Sequence, residues 1–324
     1  MKTFLNAVAF VFLPIFVLGN TGMVIGNEGF YTVEKGDSLE LIASKIGVEK
    51  KVLIEDNKID PNAKLKPGMQ LKINTRKIVP KFIENGIIIN IPDRMLYFFK
   101  DGALDSAFPV GLGMPVKKHG LENIEWKTPE GKFTVIGKNK DPVWFVPRSI
   151  QMEMELLNKP VTEKVPPGKD NPLGRYAIRT SLSGFLIHET IWPTSIYRFR
   201  THGCARVLPE HMEKFFPKVK KHMEGEIIYR PVKVAFVDNK RIYLEVHRDV
   251  YKKFNNLEEV VKKEIEKAGV LNFIDWGKVK RVTLEKKGVA EDITDYEKIK
   301  IVFKNRTIMN KMLTYLKNLF SKGK

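Results

Sequence analysis

With 324 residues, 43% of them hydrophobic and 10% aromatic, the chain can fill more than one core, which excludes disorder throughout. Its formal net charge of +18 is spread along the chain without a single basic block, so the surplus speaks for solubility and weak attraction to an anionic envelope, and no nucleic-acid partner is expected. No Cys-x-x-Cys or His-Glu-x-x-His spacing occurs, so no metal or other cofactor is expected either.

The chain starts with an export signature. Lys2 precedes an apolar run from Phe4 to Leu18, broken only by Asn6 and Pro14, and small residues follow at Val17-Leu18-Gly19 and Val24-Ile25-Gly26. Residues 1–26 therefore read as a signal peptide. The run is short for a bilayer span of about 20 apolar residues, although its continuation to Ile25 leaves an uncleaved membrane anchor as the alternative. The protein is expected outside the cytoplasm, in the periplasm or cell wall.

A very small βααβ unit follows. Tyr31-Thr32-Val33 is a short strand, Gly36 turns it, and Asp37 or Ser38 caps a helix whose Leu39, Ile42, Ala43 and Ile46 share a face before Gly47 stops it. A second helix over Lys50–Asp56 leads through Asn57, Pro61 and Pro67-Gly68 to a strand at Met69–Ile73. In its Gly36-Asp37-Ser38-Leu39, Asn57 and Leu65-Lys66-Pro67-Gly68 stretches, the unit resembles a LysM module. The resemblance places that module at residues 30–75 and implies binding to N-acetylglucosamine-containing glycan, here peptidoglycan, with Gly36, Asp37, Ser38, Asn57, Pro67 and Gly68 as the glycan-binding candidates.

From Gly86 the texture turns to strands: Ile87–Ile91, Met95–Phe99, Ala107–Gly111, Gly131–Ile136, Tyr176–Thr180 and Phe185–Ile187, with a closing strand at Gly225–Tyr229. The polar, proline-bearing stretch Gln151–Lys169 reads as a flap or a surface loop. Pro209–Lys220 suggests a helix. The predicted domain, residues 86–231, is mainly β and sandwich-like.

Cys204 is the sole cysteine. An isolated cysteine is usually an inert buried hydrophobe, but an unpaired thiol in an exported protein is worth notice. His188 stands at a strand end sixteen positions upstream, and His202 two positions upstream. Gly203 frees the backbone to bend, so a nucleophile, a base and oxyanion donors are all available. Arg206 suits a substrate carboxylate or a loop brace. Zinc is the rival use of His188, His202 and Cys204, without supporting spacing.

Thr128-Pro129-Glu130-Gly131, Asn171-Pro172-Leu173-Gly174, Ile187-His188, Ser195-Ile196 and His202-Gly203-Cys204-Ala205-Arg206 together resemble the YkuD-type L,D-transpeptidase catalytic domain. The resemblance implies a cysteine acyltransferase in which Cys204 attacks the bond between the third stem residue of peptidoglycan and a terminal D-alanine. An amine of another stem then resolves the thioester into a 3→3 cross-link. It implies His188 as base, steered by a backbone carbonyl, with His202, Gly203 and the Cys204 amide around the oxyanion. Where the family usually has His-Gly-Thr, Ser-Ile-Gly and Ser-His-Gly-Cys-Ile-Arg, this chain has Glu189, Tyr197, Thr201 and Ala205. Glu189 and Tyr197 are expected to add bulk and charge near the cleft, and with Thr201 and Arg206 they are the substrate-binding candidates. An L,D-carboxypeptidase using water, and a non-catalytic wall-binding protein, are the other readings.

Residues 232–324 form a third α+β unit. Val232–Phe236 and Ile242–Val246 make a hairpin, Asn256 with Glu259 caps a helix ending near Gly269, and Thr307–Phe320 forms a basic amphipathic helix that packs on the domain or contacts a membrane surface. The fold class expected for the whole is α+β and multidomain.

Overall fold

The computed structural model describes residues 22–116, 120–121, 124–238 and 240–301. Most of the expected signal peptide and the expected terminal helix, Thr307–Phe320, lie outside the described residues.

The N-terminal unit comprises β1 (Val24–Ile25), β2 (Glu28–Thr32), α1 (Leu39–Ile46), α2 (Lys50–Asn57), β3 (Gln70–Asn74) and β4 (Lys77–Ile78). Strands β2 and β3 pair antiparallel with Tyr31 opposite Leu71, and the helices pack Leu39, Ile42 and Leu53 around Leu71. Ser38 caps α1 by accepting from the Leu41 amide, and Gly47 ends it at φ 67, a left-handed conformation that costs glycine least. Strand β1 falls inside the stretch expected as a leader. Val24 and Ile25 pair with Ile78 and Lys77, and a Cβ on Gly22 would lie 2.9 Å from that of Ala235. A leader running to residue 26 would thus include a strand that is paired in the fold.

The β-rich unit contains β5 (Gly86–Asn90), β6 (Met95–Lys100), β7 (Ala103–Gly113), β8 (Gly131–Lys140), β9 (Trp144–Phe145), α3 (Arg148–Leu156), β10 (Lys164–Val165), β11 (Tyr176–Thr180), β12 (Leu186–Glu189), β13 (Phe199–Thr201), β14 (Ala205–Val207), α4 (Pro209–Phe215) and β15 (Glu224–Ile228). Its main sheet runs β13-β7-β14-β12-β11-β8-β15-β5-β6, and a further β6–β7 pairing joins the ends. The mainly-β expectation holds, and the strands from β7 to β6 close into a ring. Ile87, Val110, Leu112, Ile178 and Ile187 fill its interior, and Phe215 of α4 reaches the same core edge-on to Phe98 and Phe108. Strands β5 and β6 read as unbroken apolar runs because their outer face is covered too: Ile88 and Tyr97 pack with Val79, Ile196 and Tyr197. Burial on both faces removes the usual in-out alternation.

The stretch expected as a flap or loop holds a helix, α3, and β10 returns to pair antiparallel with β9. Asn171 ties the base of this excursion, its Nδ2 donating to the carbonyls of Pro142 (2.8 Å), Val165 and Pro166. The helix is hard to read in sequence because Glu153 is its one buried residue.

The last unit pairs β16 (Val232–Val237) with β17 (Arg241–Val246) and adds α5 (Leu257–Lys267), α6 (Trp276–Glu285) and β18 (Glu291–Asp292). Asn256 caps α5 as expected, its side chain accepting from the Glu258 amide. Helix α6 and β18 were not legible in sequence; Asp275 caps α6.

Buried charges join the three units. Lys233 Nζ lies 2.6 Å from Asp93 and 2.9 Å from Glu245 and donates to the Ile78 carbonyl. His247 Nε2 meets Glu245 at 2.6 Å. Asp93, Glu245 and His247 have ligand atoms close enough to hold a metal ion, but the Lys233 ammonium already supplies the cation between the two carboxylates.

Candidate active site

Strands β12 and β14 run parallel, with Ile187 beside Ala205 and His188 beside Arg206. That register brings the end of β12 next to the loop that precedes β14. A cleft of about 1430 Å³ opens there, lined among others by His188, Trp192, His202, Cys204 and Arg206.

His188 is 4% exposed. Its Nδ1 lies 2.6 Å from the carbonyl oxygen of Glu189, and since a carbonyl only accepts, Nδ1 carries the proton and Nε2 is left as acceptor. Burial, aided by the Arg206 charge and opposed by the Glu189 carbonyl, lowers its pKa to about 4. The Cys204 side chain is half-buried at the cleft, its Sγ 3.5 Å from the Gly184 carbonyl. Burial pushes the thiol pKa up, against a hydrogen bond from the Leu186 amide and the Arg206 charge. At neutral pH the cleft therefore holds a neutral thiol and a neutral imidazole.

The loop carrying Cys204 is pinned from several sides. Thr201 Oγ1 donates to the Cys204 carbonyl (2.7 Å) and accepts from the Gly203 amide (3.2 Å). Thr128 Oγ1 accepts from the Gly113 amide and donates to the Gly203 carbonyl (2.8 Å), and Tyr251 accepts from the Thr128 amide while donating to the Gly113 carbonyl. Gly203 sits at φ 113, open only to a residue without a Cβ. Its amide is turned to Thr201, so the Gly203 N–H faces the loop's own hydroxyl in this structure. The buried Thr201 thus acts as a loop brace.

Arg206 stacks over Trp192 at 4.9 Å, and its buried Nε has no hydrogen-bond partner among the described residues. A buried guanidinium nitrogen left unmatched suits an incoming anion. His202 packs edge-on against Trp126 at 4.5 Å, and its Nε2 lies 2.7 Å from Glu153 Oε2 on α3. Glu153 is a cleft-lining neighbour of His202 that the sequence did not point to. No local signal marks it, because its meeting with His202 depends on where α3 lands.

Two expected cleft residues lie elsewhere. Glu189 alternates with His188 along β12 and faces the other side, accepting from the Arg175 amide at 3.3 Å and filling the space where a Cβ on Gly174 would sit. Tyr197 is buried at the junction of the units, its ring 4.1 Å from the Arg94 guanidinium and its hydroxyl accepting from Lys77 at 2.8 Å. It holds φ 57, a left-handed conformation costly for an aromatic residue, and packing against two cations offsets that cost.

Among the glycan candidates, several shape their own loops. Asp37 accepts from the Tyr31 hydroxyl and the Glu34 amide and holds Lys45 at 3.0 Å. Asn57 accepts from the Lys72 amide and donates to the carbonyls of Leu53 and Lys72. Gly36, Ser38, Pro67 and Gly68 are exposed on two loops joined where the Gly68 amide donates to the Val33 carbonyl.

Fold and cleft together define a β-rich domain with a thiol, an imidazole and an arginine in one groove, joined to a small βααβ module. Residues 84–234 match the family model for the YkuD L,D-transpeptidase catalytic domain, and residues 31–74 match that for the LysM domain. The chain carries a YkuD-type L,D-transpeptidase catalytic domain and a LysM domain. Among curated relatives, a probable L,D-transpeptidase of Escherichia coli strain K12, YcfS, is 29% identical over 238 residues, 72% of this chain and 72% of its own length. A second from the same strain, YbiS, is 28% identical over 227 residues, 69% of this chain and 71% of its own. Among solved structures, the catalytic domain of an Enterococcus faecium L,D-transpeptidase is 19% identical with a TM-score of 0.31, covering 45% of this chain and 98% of that one.

Proposed function

We propose that the chain is an exported peptidoglycan L,D-transpeptidase that works through an acyl-enzyme on Cys204. The observation carrying this reading is that Cys204, His188 and Arg206 line one cleft inside the region matching the L,D-transpeptidase catalytic domain. The Cys204 sulfur attacks the carbonyl joining the third stem residue to D-alanine while its proton passes to His188 Nε2. The tetrahedral oxyanion collapses, the C–N bond breaks, His188 returns the proton to the leaving amine, and D-alanine departs. An amine of a second stem then attacks the thioester carbon and yields its proton to His188; as the C–S bond breaks, His188 hands that proton to the departing Cys204 sulfur, and a 3→3 amide remains. Because the thiol is raised and the imidazole lowered, proton transfer accompanies C–S bond formation and is not completed beforehand.

Arg206, with its unmatched Nε, binds a carboxylate of the stem. Glu153 and His202 border the reacting carbonyl, the carboxylate holding the ring in place. The LysM module keeps the chain on glycan through its two exposed loops, raising the local concentration of stems. In this division of labour residues 30–75 bind, 86–231 react, and the unit from 232 onward braces both through the Lys233 junction.

Purified protein incubated with disaccharide tetrapeptide and analysed by mass spectrometry tests the reading. A cross-linked dimer supports it, a tripeptide monomer alone means that water takes the acyl group, and no change means a wall-binding protein without turnover. Retained turnover in Cys204→Ala would sink the thiol mechanism.

A further inference from the structure

A second, smaller pocket of about 140 Å³ lies where the three units meet, away from the thiol cleft, and Glu49, Arg94, Phe199, Arg248, Lys286 and Lys287 are among its lining residues. Four of those side chains are permanent cations at neutral pH and one is a carboxylate. Arg94 is 7% exposed; its Nη1 donates to Glu49 at 2.7 Å, and its Nε has no hydrogen-bond partner among the described residues. Its guanidinium packs on the rings of Tyr197 (4.1 Å) and Phe199 (5.0 Å), so it has little freedom to seek another acceptor. Lys287 is shared with Asp56 (3.2 Å) and Glu285 (3.7 Å). Arg248 and Lys286 have no carboxylate within ion-pair distance among the described residues. His247 on the wall adds little positive charge, because burial lowers its pKa against the pull of Glu245.

We propose that this pocket binds a phosphate-class oxyanion, either free phosphate or the phosphoryl group of a phosphomonoester. Its oxygens would accept from Arg94 Nε and from the ends of Arg248 and Lys286, completing the hydrogen bonding of a buried donor that is otherwise left unmatched. The pocket is small and dominated by cations, which favours a compact multivalent anion over an extended one. Because Phe199 opens β13, the strand leading into His202-Gly203-Cys204, an occupied pocket would also stiffen the approach to the thiol loop. The proposal stands independently of what the thiol does.

Thermal melting of the full chain, titrated with sodium phosphate or glucose 6-phosphate against sodium chloride of matched ionic strength, tests it. A saturable rise with phosphate above chloride is the expected result. A rise with both compounds identifies an esterified phosphoryl group as an acceptable source, and a rise with phosphate alone identifies the free ion. No rise above chloride with either overturns the proposal. The Arg248→Ala/Lys286→Ala double variant, altered at one exposed and one half-buried position, should weaken the apparent affinity about tenfold, the equivalent of about 1.4 kcal/mol. A Lys262→Ala/Lys263→Ala control on the exposed side of α5 should leave it unchanged. Equal weakening in both double variants would reduce the effect to general charge screening and overturn the site.

Discussion

His188 occupies an environment that works against its own charge. Burial and the neighbouring Arg206 guanidinium hold the ring neutral down to about pH 4, well below the ordinary histidine range. As the proposed base it must be neutral to accept a proton, so the acid limb of kcat/KM for the proposed reaction should lie near pH 4, and rates should be flat through pH 6–7 where an unperturbed histidine would titrate. A limb at pH 6–7 that vanished in a His188 variant would contradict the buried, neutral ring. Cys204, His188 and Arg206 were legible in sequence because each sits in a local pattern: a strand end, a glycine-bearing loop, a fixed spacing. Glu189 and Tyr197 were misplaced because sequence gives adjacency without direction. One step along a strand reverses the face a side chain occupies, and Tyr197 turns through a left-handed residue toward Lys77 and Arg94.

At the scale of elements, α3 is the piece that local patterning could not supply. Glu153 is its one buried residue, and the value of that carboxylate appears once β9 and β10 close the base and carry it to His202. A hydrogen bond to a charged group is typically worth about 1.5–3 kcal/mol, so Glu153→Gln should lower kcat by about tenfold or more while KM moves little. Glu153→Asp, which keeps the charge on a shorter arm, should recover part of the loss. A change confined to KM would instead make α3 a substrate contact whose carboxylate does not act through His202. The other elements were read well where a cap or turn residue announces them: Ser38 and Gly47 around α1, and Asn256 before α5. The βααβ order, the β5–β6 hairpin and the β16–β17 hairpin all follow from such punctuation, whereas closure of the sheet through β6 and β7 depends on contacts no local window contains.

For the molecule as a whole, the buried charges at the junction matter more than the surface surplus. Lys233 is 1% exposed and faces Asp93 and Glu245 across units. Lys233→Met would leave those two carboxylates uncompensated, a change that typically costs about 3–5 kcal/mol. It should lower Tm at neutral pH and split thermal unfolding, followed by intrinsic fluorescence, into more than one transition. Glu245 adds a pH signature. Burial alone would raise its pKa, but Lys233 and His247 more than offset this and hold it below the ordinary 4.5. A lowered carboxylate contributes stability that is fully present above the unfolded value and is lost as pH falls through the folded one. Stability measured by urea midpoint should therefore decline from about pH 4.5 downward, and the decline should be shallower in Glu245→Gln, which would start from a less stable protein.

One pairing in the sheet also sets a timetable. Strand β15 lies between β5 and β8, with Gly225 beside Ile87 in parallel register, so the ring cannot close until a segment almost 140 residues downstream of its partner has arrived. Pairings that distant in sequence carry a high loop-closure entropy and form slowly, whereas the βααβ module is made of local contacts that form quickly. The LysM end of the chain can thus be folded while the thiol end is still an open sheet. For that interval Cys204 lacks its finished cleft, and having no second cysteine in the chain spares it from capture by an intramolecular disulfide before the last strand comes home.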